Sequence, residues 1–235
     1  MKFTSEPVQA KQSAIVDGSA AQTSLAGTCA MPRPMEREDW NRRYASEELI
    51  WTADANRFLV AQTESLSPGN ALDLATGEGR NAVWLAERGW TVRAVDFSDV
   101  AIEKAKRLAN ARNVADKIDF READLRAYEP EVQSFDLVAL IYLQIPQAEL
   151  APILVRAARA VAPGGTFLLV AHDSANLKHG YGGPQRSDVL YTAEQVVVAL
   201  GGEIAIEQAT RVERPVQTTD GLKVAIDCLV RGKRL

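Results

Sequence analysis

Histidine and cysteine are scarce in this chain of 235 residues, with two of each. Cys29 and Cys228 lie too far apart in sequence to suggest a disulfide framework, and a reducing cytoplasmic location is expected. The same scarcity leaves no ligand cluster of zinc-site spacing, so no metal is expected. Basic charge is not in excess either, with 27 Lys and Arg against 31 Asp and Glu. A chain with a formal charge of −4 has no cationic surplus to displace counterions from a nucleic-acid backbone. No apolar run approaches the ~20 residues that cross a bilayer. Polar residues interrupt every stretch before Met31, which excludes the apolar core of a secretory signal. The expectation is a soluble protein acting on a small molecule, with no nucleic-acid or membrane partner. Its composition, 46% hydrophobic and 25% charged, is that of an ordinary globular chain.

Residues 1–34, rich in Ala, Ser, Thr and Gln, have no sustained period and read as a disordered leader. Residues 35–235 read as a single domain. It begins with cap helices over 36–66, where Trp40, Tyr44 and Leu49 or Ile50 share one helical face and a longer helix covers 53–64. After the Ser67–Asn70 turn, strands and helices alternate. Strands are expected at 71–75, 91–96, 117–120, 135–141 and 166–171, and helices over 81–88, a segment following Ser98, and 148–161. A glycine-rich loop over 172–191 follows. Thr192 to Gln195 forms a capping-box start to another helix. Strands at 203–214 and 223–231, joined through Thr219-Asp220-Gly221, form a terminal hairpin. The pattern implies an α/β, doubly wound, Rossmann-like sheet of seven strands, mostly parallel with an antiparallel last strand.

Gly77 to Ala82 matches G-x-G-x-x-G/A between a strand and a helix. Glycines there let backbone approach a ligand closely, and the helix start offers unpaired N–H groups. Alone the match also fits dinucleotide enzymes and chance turns. Its surroundings narrow it. Asp96, at the end of the second strand, is placed to accept from ribose hydroxyls or to cap the next helix. Asp124 follows the third strand, where its carboxylate can reach an adenine amino group or close a turn.

The string LDLATGEGRNAVWLA, with Asp73 four residues before Gly77, resembles motif I of class I S-adenosylmethionine-dependent methyltransferases. AVDFS at 94–98, FDLV at 135–138 and VAPGGTFLLV from Val161 resemble later elements of that family, in family order. The resemblance implies S-adenosylmethionine as cofactor, held by Asp73, Ala75, Gly77, Gly79, Arg80, Asp96, Phe97, Asp124, Leu125 and Ile141. A narrower resemblance, on WNRRY at 40–44 and Trp51, is to small bacterial methyltransferases of the tellurite-resistance and thiopurine type. Ala75-Thr76 departs from their usual Gly-Cys, but both residues are small.

Methyl transfer by in-line displacement needs alignment more than a shared catalytic base. The expected acceptor site lies beyond the fourth strand, at Tyr142 and Gln144. Tyr142 can position an acceptor, face a sulfonium through its ring, or only wall the pocket. His172, ending the fifth strand, is a candidate base or a structural histidine. Tyr181 in the glycine-rich loop, read as a lid, and Trp40, Tyr44 and Trp51 opposite are candidate substrate contacts. His172, Asp173 and Asn176 suggest a magnesium site, but the fourth strand ends without the carboxylate it needs. An NAD(P)-dependent oxidoreductase shares the glycine loop and Asp96, but the chain has no Tyr-x-x-x-Lys pair. A non-catalytic protein that binds the cofactor is the third reading.

Overall fold

The computed structural model describes residues 33–50 and 52–235. The first 32 residues of the expected leader, and Trp51, lie outside the described residues. Arg33 pairs with Asp39 at 2.6 Å, and Pro34 lines a cavity described below.

Seven strands form one sheet in the order β3-β2-β1-β4-β5-β7-β6: β1 (Asn70–Leu74), β2 (Thr91–Asp96), β3 (Ile118–Glu122), β4 (Phe135–Ile141), β5 (Val161–His172), β6 (Ile204–Thr218) and β7 (Gly221–Arg234). The pairs β1–β2, β2–β3, β1–β4 and β4–β5 are parallel, whereas β7 runs antiparallel to both β5 and β6. The chain leaves β3 at one edge and returns on the far side of β1, which puts the topological switch point between β1 and β4. Open parallel sheets bind ligands at that crevice, beyond the carboxyl ends of the strands.

The central strands are apolar because helices cover both faces. All of β4 except Asp136 is buried, and one packed cluster joins Leu72, Val138, Leu140 and Phe167 to Leu154 and Ala157 of α5 (Gln147–Ala160). On the other face Leu137, Ala139 and Leu168 meet Ala82, Leu85 and Ala86 of α3 (Arg80–Glu87). The capping chemistry read from sequence is realised. Ser98 Oγ accepts from Ala101 N at 3.0 Å to start α4 (Asp99–Ala111), and Thr192 and Gln195 form the capping box of α7 (Ala193–Ala199).

Several boundaries move. The first helix, α1 (Arg37–Tyr44), ends before Leu49 and Ile50, although Ile50 still packs against Trp40 and Tyr44. The second, α2 (Arg57–Thr63), is shorter than 53–64, because Asn56 Oδ1 accepts from Phe58 N and Leu59 N and starts the helix there. The fifth strand begins at Val161, which pairs with Phe135 ahead of a register shift, so it takes in the Pro163-Gly164-Gly165 turn. The hairpin strands are longer than expected, at 15 and 14 residues. Segment 172–191 is not all loop. It holds α6 (Asn176–His179) and a 3-10 turn at Ser187–Val189, and Tyr181 N and Ile226 N bond it to β7. No helix among the described residues is long and apolar enough to cross a membrane.

Gly79, the N-cap of α3, has φ 80°, and a Cβ there would lie 2.6 Å from the Cβ of Ala105 on α4. Gly79→Val combines left-handed strain with overpacking, and a stability loss on the order of 2–5 kcal/mol is expected in chemical denaturation. An unchanged unfolding midpoint would show that α3 and α4 can separate at no cost.

Candidate active site

Two non-glycine residues with positive φ stand at the crevice: Ala75 just after β1 (φ 61°) and Tyr142 just after β4 (φ 61°). Such backbone persists where surrounding structure over-determines it, commonly at functional sites. Between them the loop Thr76–Gly79 turns into α3. Asp96, buried at the end of β2, accepts from Gly77 N through Oδ2 (2.8 Å) and from Ser98 N through Oδ1 (2.9 Å). It therefore braces the loop and the start of α4, and burial pushes its carboxyl above the usual range.

Asp73, the acidic residue inside β1, is buried. Thr76 Oγ1 donates to its Oδ2 at 2.6 Å, and its Oδ1 has no hydrogen-bond partner. Burial pushes this carboxyl up to about 7, against the pull of the Thr76 bond. Through Thr76 this carboxylate supports the glycine loop from within the fold.

Three cavities meet at Gln144, which lines all of them. One, of about 70 Å³, is walled by Asp96, Phe97, Asp124 and Leu125. Asp124 also closes its turn by accepting from Arg126 N and pairs with the Arg126 side chain. The second, about 170 Å³, is lined by Trp40, Tyr44, Ala75, Gly77, Arg80 and Ile141, together with residues it shares with its neighbours. A Cβ on Gly77 would meet Tyr44 Oη at 3.1 Å, so this glycine is required by close approach as well as by its φ of 55°. Burial, and secondarily the Arg214 guanidinium, lower the pKa of Arg80. The third, about 370 Å³, lies between segment 172–191 and the hairpin, with Tyr181 at its rim. It meets the second at His172, Arg214 and Gln144. Every described candidate residue thus borders one of these cavities except two. Asp73 and Gly79 sit behind the loop.

Two side chains absent from the sequence reading organise the surroundings of His172 and Tyr142. Asp227 of β7, fully buried, pairs in register with His172 of β5. Its Oδ1 lies 3.1 Å from His172 Nδ1, and its Oδ2 accepts from Tyr142 Oη (2.7 Å) and Arg214 Nε (2.8 Å). Burial opposes the charge of Asp227, but bonds from His172, Arg214 and Tyr142 and the adjacent guanidinium outweigh it and hold the carboxyl below its usual range. An ionised Asp227 only accepts, so His172 places its proton on Nδ1 and turns Nε2 outward. Tyr142 stacks on His172 with ring centroids 4.6 Å apart, and burial raises its hydroxyl pKa. Nothing local marks Asp227 or Arg214 in the sequence beyond a charge inside a strand, which by itself reads as a solvated face.

A second hidden device is the buried pair Lys104–Glu78, at 2.7 Å. Lys104 Nζ also donates to the carbonyls of Ser46 (2.9 Å) and Glu48 (2.7 Å), and Glu78 Oε1 accepts from Ile50 N (3.1 Å). The glycine loop is thereby latched to the segment after α1.

Residues 71–165 match the family described as methyltransferase domain. The matched segment holds β1 to the start of β5, with the glycine loop between β1 and α3. Among curated proteins, the chain is 28% identical over 118 residues to a 2-heptyl-1-hydroxyquinolin-4(1H)-one methyltransferase of Mycobacteroides abscessus, covering 49% of this chain and 52% of that one. It spans about half the length, or less, of the first curated relatives it matches. Others are named for methyl transfer to a tRNA uracil, a protein lysine or a release-factor glutamine. The fold is shared with the N-methyltransferase NodS of Bradyrhizobium japonicum, solved with S-adenosyl-L-homocysteine: TM-score 0.64, 18% identity, 84% of this chain and 97% of that one. It is shared also with TehB of Haemophilus influenzae: TM-score 0.63, 15% identity, 85% and 67%.

Proposed function

We propose that this protein transfers the methyl group of S-adenosylmethionine to a small-molecule acceptor in the cytoplasm. The observation that carries the reading is the glycine loop Thr76–Gly79 at the switch point, braced by Asp96 through Gly77 N and opening on a cavity that Arg80 lines. Asp73 supports the loop from behind through Thr76, and Arg80 receives the donor's carboxylate. Asp96 keeps lone-pair capacity for ribose hydroxyls beyond the backbone N–H groups it accepts. Phe97, Asp124 and Leu125 wall the adenine, while Ala75, Gly77, Gly79 and Ile141 shape the passage between. Residues 36–66 act as the cap, 70–171 as the cofactor-binding core, and 172–235 as lid and hairpin. The lining of the donor cavity by Trp40 and Tyr44, and the fold shared with TehB, support the tellurite-resistance and thiopurine type.

When bound, the donor supplies an electrophilic methyl on a sulfonium. His172 takes the acceptor's proton on Nε2, because Asp227 already holds Nδ1. Tyr142, pinned by Asp227, keeps its ring against His172, and Gln144 orients a polar acceptor where the cavities meet. Proton removal of this kind contributes about 10²–10⁴ in rate. Calorimetry with S-adenosylhomocysteine and with NADH tests the reading, followed by incubation with labelled donor and small acceptors. Binding of S-adenosylhomocysteine and label transfer are expected, and binding of NADH alone would overturn it.

Asp73 also sets a pH dependence. Its raised folded pKa means that the stability it contributes to the donor-free chain is present below the ordinary carboxylate range and lost as pH rises through about 7. Asp73→Asn is expected to flatten that dependence in chemical denaturation between pH 5.5 and 8, and a wild-type stability that rises with pH through 7 would overturn it.

A further inference from the structure

Segment 172–191 carries Gly180, Gly182 and Gly183 within four residues, and the reason lies behind the largest cavity. Asn176 of α6 is buried, at 2% exposure, and lines none of the three cavities. Its Nδ2 donates to the carbonyl of Gly182 at 2.8 Å, and its Oδ1 accepts from Ile226 N of β7 at 2.7 Å. Both ends of the amide are thus engaged by backbone, which takes Asn176 out of the magnesium set that the sequence suggests.

A Cβ on Gly180 would lie 1.8 Å from Asn176 Oδ1, so glycine is what lets the chain pass this close to the amide. Tyr181 N donates to Val224 O at 2.9 Å, a second tie to β7. Gly182 and Gly183 follow with φ of 71° and 76°. A Cβ on Gly183 would stand 3.1 Å from both Nδ1 and Cε1 of His172 and 3.2 Å from Cγ. Distances so nearly equal place Gly183 over the imidazole, not at its rim. The ring is therefore held in three ways: by Asp227 at Nδ1, by Tyr142 stacked at 4.6 Å, and by the backbone at Gly183.

The two bonds of Asn176 have opposite polarity. An amide donates and accepts at once, whereas an ionised carboxylate of the same shape only accepts. Aspartate at this position would keep Ile226 N but set two acceptors against each other at Gly182 O.

We propose that Asn176 is a positioning residue for His172: its amide staples Gly182 to β7 and so seats Gly183 over the imidazole that receives the acceptor's proton. The proposal rests on the reading of His172 as the base of the methyl transfer and adds the part that keeps it in place.

The test uses the full chain saturated with S-adenosylhomocysteine. Two histidines in the sequence give two imidazole rings in a proton–carbon NMR spectrum, and His179→Gln assigns them. In the wild type the ring protons of His172 are expected upfield of those of His179, shielded by the Tyr142 ring. Asn176→Asp is expected to remove most of that displacement. In label transfer to acceptors that the wild type methylates, the same variant should lose about tenfold or more in kcat, with KM for the donor unchanged. A purely structural asparagine would move the unfolding midpoint alone. Shielding absent from the wild type, or shielding or kcat unchanged in Asn176→Asp, each overturns the proposal. Gly183→Ala reaches the same contact with the staple intact and decides the matter if Asn176→Asp does not fold: an unshifted His172 spectrum there also overturns it. A chain that does not bind S-adenosylhomocysteine, or a His172→Gln variant with full label transfer, sinks the underlying reading instead, so the failures are distinct.

Discussion

Asp227→Asn is expected to lower methyl transfer by about 10²–10⁴-fold while leaving affinity for S-adenosylhomocysteine nearly unchanged. The carboxylate contributes in three directions at once. It fixes the His172 tautomer, holds the Tyr142 hydroxyl and neutralises Arg214. An asparagine of the same shape can still accept one bond, but its amide nitrogen turns a donor toward groups that themselves need an acceptor. Stability falls as well, by about 3–5 kcal/mol, because Arg214 loses the carboxylate that compensates its partly buried charge. The two effects are separable. Label transfer measured well below the unfolding temperature reads the first, and chemical denaturation reads the second. The pH dependence gives a further check. The folded pKa of Asp227 is lowered, so its contribution to stability is present above the ordinary carboxylate range and is lost as pH falls through the folded value. The wild-type protein should therefore lose stability in acid more steeply than the variant. A variant that folds less well yet turns over at the wild-type rate would reduce Asp227 to a structural residue.

The second large effect is expected at Lys104→Met. This ammonium is buried against Glu78 and donates to backbone carbonyls after α1, so its removal takes the paired ammonium away from a buried carboxylate. Breaking a buried pair by deleting one partner costs about 3–5 kcal/mol. Chemical denaturation should show a loss of that size. The affinity for S-adenosylhomocysteine should fall too, because the latch positions Tyr44 over the glycine loop. The double variant Lys104→Met with Glu78→Gln should recover part of the stability, since it removes the carboxylate that Lys104 paired with. A fully additive double-mutant cycle would mean that the pair contributes no coupling.

What could be read from the chain alone followed from local chemistry. The run Phe135–Ile141 is a strand because a parallel strand covered by helices on both faces must be apolar throughout. Ser98 and Thr192 start helices because their hydroxyls satisfy orphan N–H groups within a few residues. The glycine loop was legible for the same reason, since close approach and positive φ demand particular residues at particular spacing. Where the reading slipped, competing interactions lay outside the window. Asn56 shortens α2 through its side chain, and the hairpin strands run on past the end of β5 because they pair with each other.

The cluster around His172 belongs to tertiary structure. Arg214 and Asp227, on the two strands of one hairpin, lie far along the chain from Tyr142, and neither sits in a recognisable pattern. They meet because β7 inserts between β5 and β6, setting Asp227 beside His172 and carrying Arg214 and Val216 over the cavity. The sequence by itself therefore determined the sheet, the glycine loop and the acidic residues that brace it, all of which depend on residues close along the chain. Which side chains gather around His172 was decided only when antiparallel pairing brought distant strands into register.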